Sequence, residues 1–70
     1  MLHKSTVVST GQGELKVTLD IVPDEDNPYA LLAATDEMGE QVAQVRVDAG
    51  FKLSPSSAQA WIDNDFRAPR

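Results

Sequence analysis

The residues from Glu14 to Ile21 alternate strictly between polar and apolar side chains. Leu15, Val17 and Leu19 would share one side of an extended chain with Ile21, and the polar residues would share the other. Successive side chains of a strand point to opposite faces, so a period of two predicts a half-buried strand with one solvated face. This is the clearest pattern in the chain, and the fold has to accommodate a sheet that is wet on one side.

The strand before this pattern completes a β-hairpin. The residues after Lys4 are rich in β-branched side chains, and the sequence Gly11-Gln12-Gly13 offers the backbone freedom that a tight reversal needs. We therefore predict strands at about 4–10 and 14–22, the second ended by Pro23. The polar segment that follows has no apolar residue to anchor it and is predicted to be an exposed acidic loop.

The middle of the chain permits two interpretations. Asn27, Pro28 and Gly39 would suit the N-cap, the first position and the end of a helix. Alternatively, Gly39 supplies a positive φ in a hairpin connection, since the residues soon after it alternate between apolar and polar. We favour two strands, at about 29–36 and 42–48, whereas the helix would leave a three-stranded sheet.

A helix is predicted over about 55–66. Ser54 is a typical N-cap, and Pro55 suits the first helical position because the N–H that proline lacks would be unpaired there. An apolar stripe at helical spacing should cover the sheet. Its members are Ala58, Trp61, Ile62 and Phe66. The complete prediction is one small α+β domain over residues 1–70: a four-stranded antiparallel β-meander of two hairpins with one C-terminal helix packed on one face.

Size and charge limit the functions that such a domain can have. The chain has 70 residues and no cysteine, so neither a disulfide nor a thiolate zinc site can supplement a small core. Self-association through an edge or face of the sheet is therefore expected, as a homodimer. The net charge is −5, and the basic residues are scattered. Direct binding of nucleic acid is thus disfavoured, and a protein partner, more naturally a basic one, is favoured.

Catalytic and metal chemistry are also disfavoured. The only histidine, His3, stands near the N-terminus and is predicted to be exposed and unpaired, which leaves no base for a nucleophile. An acidic run begins at Asp24, but a calcium loop of the EF-hand type would need glycine and glutamate where Tyr29 and Thr35 stand. We predict a non-enzymatic protein without cofactor or metal. An enzyme would have to borrow residues across a dimer interface.

Two function classes follow. The first is a small protein-binding module or regulator, homodimeric, that acts through a sheet edge or face. The alternative is an acidic inhibitor that imitates nucleic acid and blocks a nucleic-acid-binding enzyme. It requires the fold to gather on one face Asp63, Asp65 and the six acidic partner-binding candidates named below. No apolar run approaches the length of about 20 residues that spans a bilayer, which predicts a cytoplasmic location. The partner-binding candidates are Asp24, Glu25, Asp26, Asp36, Glu37 and Glu40.

Overall fold

The computed structural model describes residues 3–11, 13–24 and 26–68. Its elements are β1 (His3–Thr10), β2 (Gly13–Val22), β3 (Tyr29–Thr35), β4 (Gln41–Asp48) and α1 (Pro55–Asp63). The strands form one sheet in the order β1-β2-β3-β4, and every neighbouring pair is antiparallel. The predicted four-stranded antiparallel meander, followed by one helix, is confirmed.

The middle of the chain forms the second hairpin. β3 lies between β2 and β4, and its buried residues Ala30, Leu32 and Ala34 alternate with half-buried ones. Gly39 has the positive φ that the hairpin interpretation requires, at 83°. Asp36 stabilises the connection because its Oδ1 accepts hydrogen bonds from two backbone N–H groups of the turn. Period-two burial and local turn chemistry together explain why this segment is not helical.

The core lies between α1 and one face of the sheet, which we call the core face. The buried residues come from all four strands and the helix: Val8, Val17, Leu19, Ala30, Leu32, Ala34, Val47, Ala58 and Trp61. Among the strands, β1 is the one that α1 approaches most closely. The opposite side of the core face is therefore covered less completely. Ala43 and Val45 of β4 stay half-buried, whereas Val47 is buried.

The start of α1 agrees with the sequence prediction. Ser54 is the N-cap, with extended backbone angles, and its Oγ accepts a hydrogen bond from the Ser57 N–H at 3.1 Å. The Ser57 hydroxyl accepts one from the Ser54 N–H at 2.9 Å. This reciprocal capping box, together with Pro55 at the first position, satisfies donors that a helix start otherwise leaves unpaired.

The end of α1 corrects the predicted bound of about residue 66, because the helix ends at Asp63. The chain then leaves the helical path: the Phe66 N–H donates to the Trp61 carbonyl at 3.0 Å and the Asp65 N–H to the Ile62 carbonyl at 3.1 Å. These are the two hydrogen bonds of a Schellman motif. The motif returns Phe66 to the edge of the Trp61 ring, with centroids 5.1 Å apart. Phe66 therefore does contact the apolar stripe of α1, as its spacing predicts, but the Schellman motif and not the helix brings it there.

We expect Asp65→Gly to raise the free energy of unfolding by about 0.5–1 kcal/mol. Asp65 has a φ of 57°, in the left-handed region, where a Cβ meets the following carbonyl and glycine has none. Urea denaturation followed by fluorescence of the single tryptophan measures the change. The matched control is Asp63→Gly, which removes the same charge within the helix and should cost up to about 1 kcal/mol. Equal gains in both variants would assign the effect to charge and not to backbone strain.

Candidate protein-binding surfaces

The sheet face opposite α1, which we call the open face, is not covered by any other element of the described residues. Residues that stand directly opposite each other in paired strands share a face. One row across the open face consists of His3, Asp20, Leu31 and Arg46. The face therefore combines polar side chains and the exposed Val7 on its outer strands with half-buried apolar side chains on β3.

Two side-chain pairs organise the open face. Arg46 of β4 places its guanidinium over the Tyr29 ring of β3, 4.0 Å from the ring centroid. A cation held over an aromatic ring at an exposed site contributes about 0.5–1 kcal/mol. At the other edge, the His3 Nδ1 is hydrogen bonded to the Asp20 Oδ1. His3 is exposed, as expected from the sequence, but it is paired, and the prediction of an unpaired imidazole was wrong.

The edge formed by β4 carries the most accessible apolar side chains of the core face. β4 pairs only with β3 among the described strands. Ala34 stands opposite Ala43 and Thr35 opposite Gln41, so Val42 is the extra residue of a β-bulge and is 47% exposed. A bulge disturbs the start of an edge strand and discourages pairing there. The regular part of the edge therefore begins after it.

The predicted partner-binding residues fall into two groups at opposite ends of the sheet. Asp24 and Asp26 follow β2, whereas Asp36, Glu37 and Glu40 lie in the connection between β3 and β4. In a meander the first and third connections lie at one end and the second at the other. The ten residues of β2 separate the ends by about 30 Å, at about 3.3 Å per residue. Glu25 lies outside the described residues. The structure thus does not bring the carboxylates together on one face.

Glu37 joins the two turns that share one end of the sheet. Its Oε1 accepts a hydrogen bond from the Glu14 N–H at 3.0 Å, so the β3–β4 connection is tied to the start of β2. Gly13 has a φ of 123°, and a Cβ built on it would lie 3.2 Å from the same oxygen. The backbone conformation therefore favours glycine at this position, and a side chain there would also displace the Glu37 carboxylate by a few tenths of an ångström.

A cavity of about 380 Å³, which we call the turn-end cavity, opens between these two turns. Its lining comes from both turns, the first residues of β2 and β4, and the end of the helical cap: Thr10, Gly13, Glu14, Leu15, Asp36, Glu37, Met38, Val42 and Phe66. Three of these residues carry carboxylates, and none carries a positive charge. Met38 is 89% exposed, so its side chain borders the opening of the cavity. The cavity combines an apolar lining with an acidic rim.

Sequence reasoning identified Asp36 and Glu37 but missed the other members of this cavity. The strand alternation predicts Glu14 only as a solvated strand residue, and the helical spacing predicts Phe66 only as a helix residue. One signal was available: in a predicted meander the first and third connections meet at the same end, which places Glu14 near Glu37. The position of Phe66 could not be predicted because it depends on the Schellman motif.

Comparisons with known proteins assign no function to these surfaces. No family model, curated protein or solved structure matches the chain. Within residues 3–11, 13–24 and 26–68, no three histidine, aspartate or glutamate side chains converge as a metal site requires. In the same residues, no helix has the length and apolar character needed to cross a bilayer. The surfaces therefore have to be interpreted from their own geometry.

Proposed function

We propose that the chain is a small, non-enzymatic protein-binding module that forms a homodimer through the β4 edge. The observation that carries the proposal is the incomplete cover of the core face. Because α1 lies closest to β1, Ala43 and Val45 remain half-buried beside an unpaired strand edge. A second strand added there would pair the backbone groups of the edge and extend the apolar core.

The sequence of β4 suits pairing with a second copy in the antiparallel direction. With Val45 on the two-fold axis, Val45 of one copy stands opposite Val45 of the other, Gln44 opposite Arg46, and Ala43 opposite Val47. Core-face residues of one copy then stand opposite core-face residues of the other, and no two side chains of like charge are paired. A pairing centred on Arg46 would oppose two guanidinium groups, and like charges directly opposite are destabilising. The two-fold arrangement closes on itself and does not propagate into fibres.

The expected solution state is a dimer at a protein concentration of about 100 μM, measured by size-exclusion chromatography with light scattering. Each copy has a net charge of −5, so repulsion between copies opposes association and salt should strengthen the dimer. Hydrogen exchange gives a second measurement, because pairing would protect the outward backbone N–H groups of β4. A monomer at this concentration in both low and high salt would contradict the proposal.

Val45→Lys should convert the dimer into a monomer, because it places an ammonium group at the two-fold axis. Val45 is half-buried, so the lysine stem can follow the surface of the sheet and leave the fold intact, which circular dichroism checks. Val7→Lys is the matched control. It introduces the same charge on the other edge strand, where Val7 is 57% exposed, and should leave the dimer unchanged. Equal loss of dimer in both variants would point to the opposite edge or to net charge.

The alternative function as a nucleic-acid mimic receives less support. It requires one continuous acidic face, and the described members of the acidic set are divided. Asp24 and Asp26 lie at one end of the sheet, three others lie in the connection after β3 at the opposite end, and Asp63 and Asp65 lie at the end of α1. A cytoplasmic location stays a prediction, which fractionation of the native cells would test.

A further inference from the structure

The turn-end cavity has two chemically different parts. Leu15 and Phe66 are half-buried and provide an apolar interior, while Glu14 and Glu37 are exposed at its rim. No lining residue is a cation, so the potentials of the rim carboxylates add at the opening. A ligand with an apolar body and a positively charged end would complement both parts.

We infer that the turn-end cavity receives a lysine or arginine side chain from a basic segment of a partner protein. These side chains lay their aliphatic stems along apolar surface while the charged head stays at the rim. The stem would contact Leu15 and Phe66, and the charged head would donate hydrogen bonds to the carboxylates of Glu14 and Glu37 and form ion pairs with them. An arginine would also present its guanidinium to the Phe66 ring.

The size and composition of the cavity favour one long side chain over a larger ligand. A volume of about 380 Å³ lies at the low end of the range of about 300–1,000 Å³ for small-molecule sites. The exposed Met38 adds an adaptable apolar wall that can close on the stem without a fixed rotamer. This surface is centred on the turns and not on Val45, so the inference goes beyond the proposed dimer and does not depend on it.

A titration of the full chain followed by backbone amide resonances tests the inference. The probe is a short glycine-serine peptide with one central arginine, added up to about 10 mM because a single side chain binds weakly. Saturable shifts are expected at Glu14, Glu37 and Met38. The same peptide with citrulline in place of arginine keeps the shape and loses the charge, and it should bind about tenfold more weakly.

Substitutions at the rim provide the second arm. The double variant Glu14→Gln and Glu37→Gln should lower the affinity for the arginine peptide about tenfold. Glutamine at position 37 keeps an oxygen that can accept from the N–H of residue 14, so the two turns stay connected. The matched control is Asp24→Asn with Asp26→Asn, which makes the same change in net charge at the other end of the sheet. It should leave the affinity unchanged.

Three results would overturn the inference. The first is that the citrulline peptide binds as tightly as the arginine peptide. The second is that the control variant at Asp24 and Asp26 weakens binding as much as the rim variant does. The third is that free agmatine binds the cavity and the arginine peptide does not, which would indicate that the ligand of the cavity is a small cation and not a protein segment. Light scattering on the same variants reports the dimer separately, so the two proposals can fail independently.

Discussion

Trp61→Ala is expected to lower the free energy of unfolding by about 3–5 kcal/mol, the usual cost of removing a large buried aromatic side chain. Trp61 is only 2% exposed and is the largest side chain in the core. It also holds Phe66 edge-to-face across the Schellman motif, so its loss frees the end of α1 as well. A chain of this size has a total stability of about 4–10 kcal/mol. We therefore expect a large unfolded population, visible by circular dichroism, since the variant has no tryptophan to report by fluorescence.

Trp61→Phe is the matched control for this prediction. It keeps an aromatic ring against Phe66 and removes the indole Nε1–H, which is buried without an acceptor among the described residues. An unpaired buried donor costs about 1–3 kcal/mol, so its removal offsets part of the lost contact area. The expected loss is below about 1.5 kcal/mol. If the alanine variant unfolded no more readily than the phenylalanine variant, Trp61 would not be the anchor between α1 and the sheet.

Leu32→Ala is expected to cost about 2–5 kcal/mol of unfolding free energy. Leu32 lies on a central strand, opposite Leu19 on one side and Val45 on the other, and it is fully buried on the core face. Neither neighbouring strand can move inward without breaking its own pairing, so the structure would relax little around the cavity left behind. Urea denaturation monitored by tryptophan fluorescence measures the loss.

The adjacent residue supplies an internal control. Leu31 belongs to the same strand but points to the open face and is half-buried there. Leu31→Ala removes the same atoms with the same change in β-propensity, and in the monomer it should cost about 1 kcal/mol or less. Equal costs at the two positions would mean that the open face is packed as tightly as the core face, which would contradict the assignment of faces.

The sequence predicted the sheet well because its signals are local. Two signals depend only on neighbouring residues: the strict alternation that starts at Glu14, and the glycines with positive φ at residues 13 and 39. The structure confirms the strands that they predict. The start of α1 was equally accessible, since the Ser54 and Pro55 pair acts on the first helical turn alone. Segments with period two also define the core face without knowledge of their partners.

The candidate surfaces were harder to predict because they depend on contacts between distant residues. The sequence predicts the end of α1 three residues late, since the two residues with left-handed backbone angles after it, Asp65 and Phe66, are not glycines. The hydrogen bond between Glu37 and the start of β2 joins residues 23 positions apart, and no local pattern encodes it. Charge alone grouped Asp24 with Glu37, although topology places them at opposite ends of the sheet.

The approach of α1 to β1 has a consequence for the order of folding. Each strand pairs with its neighbour in the chain, so the hairpins are local and can form within about 1–10 μs. α1 is about 50 positions from β1 in the chain. Bringing these two elements together closes a longer loop than either hairpin does and therefore has the larger entropic cost. Until α1 docks, the apolar face of the finished sheet is exposed to other chains. We therefore expect the docking of α1 to be the last step of folding, and the step that protects the protein from aggregation.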